Sequence, residues 1–205
     1  MKLTTILSLS FLISLTACIS QQSVILKHYT IEYPEFAEHK AEESGQLIPG
    51  SIEIQRIEMG PVYDKNQIVN RTDSHEITYY KYHQWAVKPS VALMEVMMYY
   101  LDNAHLFESV SSRYNRAIPD YLFTTTIHQL EVLEGKNEFS AHVHLEFRIL
   151  RNTDNQVLLR HAAERLLPLE EKDLNLFASA VSEIFYLELD TFADMIRDQL
   201  KVLEE

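Results

Sequence analysis

Apolar and polar residues alternate most regularly along the chain from Phe139 to Ile149. One parity of this segment is apolar and the other carries serine, histidine, glutamate and arginine, which predicts a strand with one buried and one solvated face. Alternating, β-branched and aromatic runs predict further strands at residues 24–33, 51–59, 68–69, 75–85, 121–133 and 156–167. The parity of residues 51–59 changes near Gln55 or Arg56, which indicates a bulge or an end of strand pairing there.

Two segments instead have the helical period. Pro89 introduces a helix that runs to Asp102, with Asn103 as its C-terminal cap and a predicted core stripe of Val91, Leu93, Met94, Met97, Met98 and Leu101. Asp173 caps a longer helix at residues 174–200, whose predicted core residues are Leu174, Phe177, Val181, Ile184, Phe192, Met195 and Ile196. Together the elements predict an α+β fold, a two-layer sandwich in which two main helices pack on one face of a mainly antiparallel sheet.

The first residues have the layout of a secretory signal, with Lys2, an apolar run and small residues before Cys18. The end of this run, Leu15-Thr16-Ala17-Cys18, resembles the lipobox of bacterial lipoproteins, which implies cleavage before Cys18 and its acylation, for example with palmitate. The alternative is an uncut transmembrane anchor with an incidental cysteine, but the run of roughly fifteen residues is shorter than the roughly twenty that span a bilayer. We therefore predict a signal peptide at 1–17, a lipidated tether at 18–23 and a single periplasmic domain at 24–205.

The residue after Cys18 predicts in which membrane the protein is anchored, and the overall charge predicts which partners it does not bind. In the enteric sorting rule, which this terminus resembles, aspartate after the cysteine retains a lipoprotein in the inner membrane, so Ile19 predicts the outer membrane, facing the periplasm. The formal net charge of −12 repels nucleic acid and anionic lipid headgroups, so we expect no nucleic-acid partner and a membrane attachment that comes from the lipid and not from a basic patch. The four glycines form neither a phosphate-binding loop nor a nucleophile elbow, which argues against an ATPase and an ordinary α/β-hydrolase. We expect no cofactor.

Histidines are the candidate metal ligands. His142 and His144 share the polar face of the Phe139–Ile149 strand, and a hairpin that pairs Arg151 with Gln156 would place His161 opposite Glu146 on that face. Three imidazoles and a carboxylate could hold zinc or another divalent ion. Since no H-x-x-x-H or C-x-x-C spacing supports a metal, the favoured interpretation is a set of half-exposed polar residues with no metal.

Aromatic residues crowd one predicted strand and form a candidate partner-binding surface. The set consists of Tyr79, Tyr80, Tyr82 and Trp85. Two faces of a strand cannot both be buried in a two-layer fold, so some of these rings should project outward, towards a partner or a second copy of the chain. The alternative is that a helix or a neighbouring loop covers them.

A diffuse set of residues also carries a family resemblance, namely Ile52, Ile54, Pro61-Val62-Tyr63-Asp64, Gln67-Ile68-Val69, Arg71, Tyr79 or Tyr80, Trp85-Ala86, Pro89, Leu101 and Phe107 to Val110. This set resembles the auxiliary lipoproteins of ABC-type transporters, the family that includes paraquat-inducible protein C and partners of MCE-domain lipid transporters. The resemblance implies a subunit without enzymatic activity that docks on an MCE-domain protein and on ABC or permease components, and that assists lipid transport between the inner and outer membranes. It leaves self-association open.

Two other functions stay open from the residues alone. One is a periplasmic metal-dependent hydrolase that uses His142, His144 and His161. The other is a lipoprotein of envelope assembly that is unrelated to transport. Fold-level analogy does not decide among the three, because function depends on the site.

Overall fold

The computed structural model describes residues 24–34, 48–112, 118–135 and 138–200. The predicted signal peptide, Cys18 and the tether at 18–23 lie outside the described residues. The described strands are β1 Lys27–Tyr29, β2 Ile48–Ile54, β3 Glu58–Met59, β4 Gln67–Asp73, β5 Glu76–Trp85, β6 Phe107–Ser112, β7 Tyr121–Glu134, β8 Phe139–Arg151 and β9 Val157–Pro168. The helices are α1 Pro89–Ala104 and α2 Leu174–Leu200.

The nine strands form one mixed sheet with β7 at its centre. On one side of β7, the long strands β8 and β9 follow as antiparallel neighbours. On the other side, β2, β3 and β4 pair in parallel with successive parts of β7. β6 extends the sheet beyond β2, whereas β5 and then β1 extend it beyond β4. The longest pairings are antiparallel, which confirms the predicted α+β class, and the sequence pattern does not predict β6.

Both helices begin where the sequence predicts. Asp173 caps α2, because its carboxylate Oδ1 accepts the backbone N–H of Asn175 at 2.7 Å and its carbonyl accepts that of Phe177 at 3.1 Å. The predicted cap of α1 is wrong: the helix ends at Ala104 and is capped by His105, which adopts a left-handed φ of 44°, while Asn103 donates its side-chain amide to the carbonyl of Tyr99.

The core stripe of α1 is rotated relative to the prediction. Its fully buried residues are Pro89, Ala92, Leu93, Val96, Met97, Tyr100 and Leu101. Val91 is exposed, and Met94 and Met98 are only half-buried. These three residues of the predicted core stripe therefore line a surface groove, described below.

The core lies between the helices and one face of the sheet. Phe192 of α2 packs on Phe123 of β7 and Phe147 of β8, with ring centroids 5.4 and 5.6 Å apart. Trp85 at the end of β5 packs on Phe177 of α2 at 5.6 Å. Each such ring contributes roughly 1.5–3 kcal/mol by leaving water.

Two irregularities decide which side chains lie on the opposite, outer face of the sheet. The β7–β8 register shifts between Ile127 and Gln129, after which Glu131 stands opposite His142. The β8–β9 register shifts between Ile149 and Leu150. A shift of one residue moves every following side chain to the other face.

Candidate functional site

A buried carboxylate lies on the outer face of the sheet, where solvent-exposed side chains were expected. Glu131 of β7 has no exposed surface. It receives two hydrogen bonds from the guanidinium of Arg71, from Nε to Oε1 at 2.7 Å and from Nη2 to Oε2 at 3.0 Å. The hydroxyl of Tyr63 donates to Oε2 at 3.2 Å, and His142 Nδ1 lies 3.2 Å from Oε1. We call Tyr63, Arg71, Glu131, His142 and Glu164 the Glu131 cluster.

Three elements bring these side chains together. The turn after Gly60 and Pro61 folds back on itself, with the N–H of Tyr63 bonded to the carbonyl of Gly60 at 2.9 Å, and carries the Tyr63 ring over the sheet. Arg71 comes from β4, whose end lies parallel to the end of β7. His142 lies directly opposite Glu131 on β8.

The charges of the Glu131 cluster stabilise one another. Burial alone would raise the pKa of Glu131, but hydrogen bonds from His142 and Arg71, together with their positive charges, outweigh it and lower that pKa. The hydrogen bond to Glu131 raises the pKa of His142, although burial opposes the shift. His142 Nε2 also lies 2.9 Å from Glu164, and with carboxylates at both ring nitrogens the doubly protonated imidazolium is the favoured form.

A second buried carboxylate lies further along the same face. Glu146 of β8 is bound by Arg148 and Arg160, the latter through Nη2 at 2.5 Å. The hydrogen bond from Arg160 is the main cause that lowers the pKa of Glu146. The expectation of a solvated face on this strand is therefore wrong for Ser140, His142 and Glu146, which are all buried.

The three candidate metal ligands do not come together. The N–H of Arg151 does bond to the carbonyl of Gln156 at 2.9 Å, but the following register shift places His161 opposite Phe147 and Ala162 opposite Glu146. His161 thus lies on the helix face, where its Nε2 is 2.6 Å from the buried carboxylate of Glu188 on α2. His144 lies on the outer face, where its ring centroid is 4.6 Å from that of His128 and the two rings are tilted by 44°. Among the described residues, no group of three or more histidine, cysteine or acidic side chains could hold a metal ion.

The aromatic residues of β5 divide between core and surface. Trp85 is only 2% exposed and belongs to the core, and Tyr80 is half-buried with its hydroxyl 3.3 Å from Glu134. Tyr79 and Tyr82 are 40% and 38% exposed. The predicted partner-binding surface is thus reduced to these two rings, and their binding role stays a prediction.

A groove lies beside the first half of α1, and we call it the α1 groove. Val91, Met94 and Met98 line its helix side, and Ile57 and Met59 line the side formed by the break between β2 and β3. Its volume is about 1250 Å³. At one end, Lys88 Nζ lies 3.6 Å from Asp64. The sequence signal for this groove is the methionine content of α1, with Met94 and Met98 at helical spacing. That spacing by itself predicted that both side chains belong to the core.

Comparison with known families identifies the class of this domain. A family model described as an ABC-type transport auxiliary lipoprotein component matches residues 29–189. The chain belongs to this family. Among proteins of curated function, none matches the sequence.

Solved structures share the fold of this auxiliary lipoprotein. Protein XCC0632 from Xanthomonas campestris, of the DUF330 family, has a TM-score of 0.70 at 14% identity, and the match covers 88% of this chain and 99% of that one. An uncharacterized protein has a TM-score of 0.65 at 9% identity, covering 84% and 99%. The hypothetical protein CT253 from Chlamydia trachomatis has a TM-score of 0.50 at 6% identity, covering 74% and 98%. At these identities the likeness concerns the fold alone.

No helix within the described residues is long and apolar enough to cross a bilayer.

Proposed function

We propose that this protein is a lipid-anchored periplasmic subunit of an ABC/MCE-type transport system, and that it assists lipid transport between the inner and outer membranes by binding and positioning. The observation that carries the proposal is the family match, which spans residues 29–189 and so includes nearly the whole described domain. The partners we expect are an MCE-domain protein and the permease. The anchor we expect is the acylated Cys18.

The pairing of the buried charges supports a binding role over a catalytic one. Glu131, Glu146 and Glu188 are each bound by two basic side chains within the domain. Such saturated pairs hold strands and helices together, whereas a general acid or base needs a face open to substrate. The hydrolase built on His142, His144 and His161 loses its support because these side chains lie on two faces of the sheet.

The α1 groove is the surface that we assign to the transport partner. It combines half-buried methionines, which adapt to varied apolar surfaces, with the exposed Val91. A groove of about 1250 Å³ is large enough to take an apolar segment of another subunit.

Site-specific photocrosslinking in intact envelopes tests this proposal. A photoreactive residue replaces Val91 in the groove or, as the matched control, Val157 on β9, because both side chains are 46% exposed. We expect the groove position to capture an MCE-domain or permease subunit, identified by mass spectrometry, and the control position to capture neither. Equal capture at both positions would refute the groove assignment, and recovery of the lipoprotein alone would refute the transport role and favour envelope assembly.

A further inference from the structure

Most lysines within the described residues lie in one region of this acidic protein. Five lysines lie within the described residues, and four of them, Lys27, Lys65, Lys81 and Lys88, are on β1, on β5 or on the segments that flank β5 in space. The fifth, Lys172, is ion-paired with Glu134 at 2.9 Å. Four positive side chains therefore lie in one region of a chain whose formal net charge is −12.

Two of these lysines lie over exposed tyrosine rings. Lys65 Nζ is 4.8 Å from the ring centroid of Tyr79 and 3.3 Å from its hydroxyl, and Lys81 Nζ is 5.1 Å from the ring centroid of Tyr82. Between the pairs Gln67–Gln84 and Val69–Tyr79, β5 has more residues than β4, so the segment that holds Lys81 and Tyr82 leaves the ladder. The excursion presents these side chains to the outside.

An apolar segment runs beside this excursion. β1 pairs in parallel with the end of β5, with Lys27 opposite His83, and Tyr29 is bonded to His83 through its hydroxyl at 2.8 Å. Because the two strands run in the same direction, residues 24–26 lie on the side of the excursion. These residues, Val24, Ile25 and Leu26, are 57%, 78% and 42% exposed.

We propose that the lysine–tyrosine patch, formed by Lys65, Tyr79, Lys81, Tyr82 and residues 24–26, lies against an anionic phospholipid surface and fixes the orientation of the domain on it. Three kinds of contact hold proteins in a bilayer interface: tyrosine rings at the depth of the headgroups, lysines beside anionic headgroups, and short apolar segments that insert between the lipids. This revises the expectation, drawn from the net charge, that the polypeptide makes no contact with anionic lipid through basic residues.

The inference rests on the proposed lipid anchor, because the anchor supplies the proximity. From Cys18 to Val24 there are 24 − 18 = 6 residue steps, so the fully extended tether spans about 20 Å at most. A patch that binds lipid weakly, but is held this close to the membrane, experiences a high effective concentration of lipid. A few lysines near an anionic surface are then enough to select one orientation.

The patch adjoins the α1 groove. Lys65 and Lys88 lie with Met59 and Asp64 where the groove ends and the patch begins. Lys88 belongs to this boundary, and its ion pair with Asp64 reduces its share of the positive field.

Fluorescence in proteoliposomes tests the patch. The full-length acylated protein carries a polarity-sensitive dye on a new cysteine, Tyr82→Cys in the patch or Val157→Cys on β9 as the control, since acylation blocks the thiol of Cys18. The vesicles contain phosphatidylcholine with or without phosphatidylglycerol. We expect a blue shift and a loss of quenching by an aqueous quencher only for the dye at position 82 and only with phosphatidylglycerol. In that background Lys65→Glu/Lys81→Glu should restore quenching, whereas Arg151→Glu in the distant β8–β9 hairpin should not.

The outcomes separate the patch from the anchor. Protein that floats with the vesicles but shows equal quenching at both dye positions overturns the patch and leaves the anchor intact. Protein that does not float with any vesicle overturns the anchor, and the patch proposal with it. Protection of position 82 in native envelopes but not in phosphatidylglycerol vesicles assigns the patch to an acidic protein and overturns the lipid proposal.

Discussion

His142 Nδ1 lies 3.2 Å from Oε1 of Glu131, and both side chains are buried on the face of the sheet opposite α1 and α2. The contact joins β7 to β8, and Arg71 extends it to β4. Three strands are thus held together by charge on the face that α1 and α2 do not cover.

Removal of Arg71 should strongly destabilise the domain. Arg71→Met leaves the fully buried Glu131 with only His142 and Tyr63 as partners, and removal of one partner from a buried ion pair costs about 3–5 kcal/mol. Urea unfolding measures the loss of free energy of unfolding. Arg151→Met, at a solvent-exposed ion pair in a hairpin, is the control and should change it by less than about 1 kcal/mol. An equal loss in both variants would contradict the assigned role of Arg71.

Stability should fall as pH rises through neutrality. The folded-state pKa of His142 is raised above its ordinary 6.5, mainly by the hydrogen bond to Glu131, so its contribution is complete below pH 6.5 and is lost as pH rises through the folded pKa. The pKa of Glu131 is lowered below 4.5, so its contribution is present above pH 4.5 and is lost only as pH falls further. Urea midpoints should therefore be higher at pH 6 than at pH 8.

His142→Gln should reduce this dependence on pH. Glutamine keeps hydrogen-bonding capacity but does not titrate, so the difference between the midpoints at pH 6 and pH 8 should become smaller. An unchanged difference in the variant would assign the pH dependence to other histidines.

Cys18→Ala should remove the protein from the membrane fraction, because the acyl chains are its expected attachment. Fractionation with immunodetection measures this, and a variant that still sediments with the outer membrane would end the anchor hypothesis. Ile19→Asp is the matched variant for location. By the sorting rule that the terminus resembles, it should retain the acylated protein in the inner membrane.

The aromatic residues of β5 should separate into two classes. Trp85→Ala removes a ring packed on Phe177 and should cost about 3–5 kcal/mol in the free energy of unfolding. Tyr82→Ala removes an exposed ring and should cost less than about 1 kcal/mol. Comparable losses would show that Tyr82 is part of the core.

Purified mature protein should bind no stoichiometric zinc, as measured by elemental analysis after dialysis against the metal. The reason is geometric, since His142 and His161 lie on opposite faces of the sheet. Bound zinc that is lost in both His142→Ala and His161→Ala would show that the register of β9 differs from the one described.

The sequence predicts a helix or strand of this fold well where the signal lies within that helix or strand itself. The alternation of β8 and the bounds of α2, with Asp173 as its cap, follow from period and capping chemistry in the sequence itself. The break between β2 and β3 follows from the change of parity near Gln55.

Relations between elements could not be predicted in the same way. The register shift after Ile149 carries no glycine or proline, yet it moves His161 from the outer face to the helix face. Which face of α1 is buried depends on the elements that pack against the helix. The apolar residues of α1 are compatible with more than one buried face, and the sequence pattern does not choose between them. β2, β3 and β4 pair in parallel with β7, which is distant from them in the sequence, and no local sequence pattern predicts this pairing.

The pairing of β1 with β5 has a mechanical consequence for a protein held at its N-terminus. With the proposed anchor at Cys18, tension would enter the domain through β1, a strand of three residues at the edge of the sheet that the bond between Tyr29 and His83 reinforces. Short edge strands are among the first parts of a protein to open. Release of residues 24–29 would lengthen the tether by about 20 Å while the helices and the central strands stay folded. Under the proposed anchor, β1 would act as an extensible connection that protects the folded core from tension.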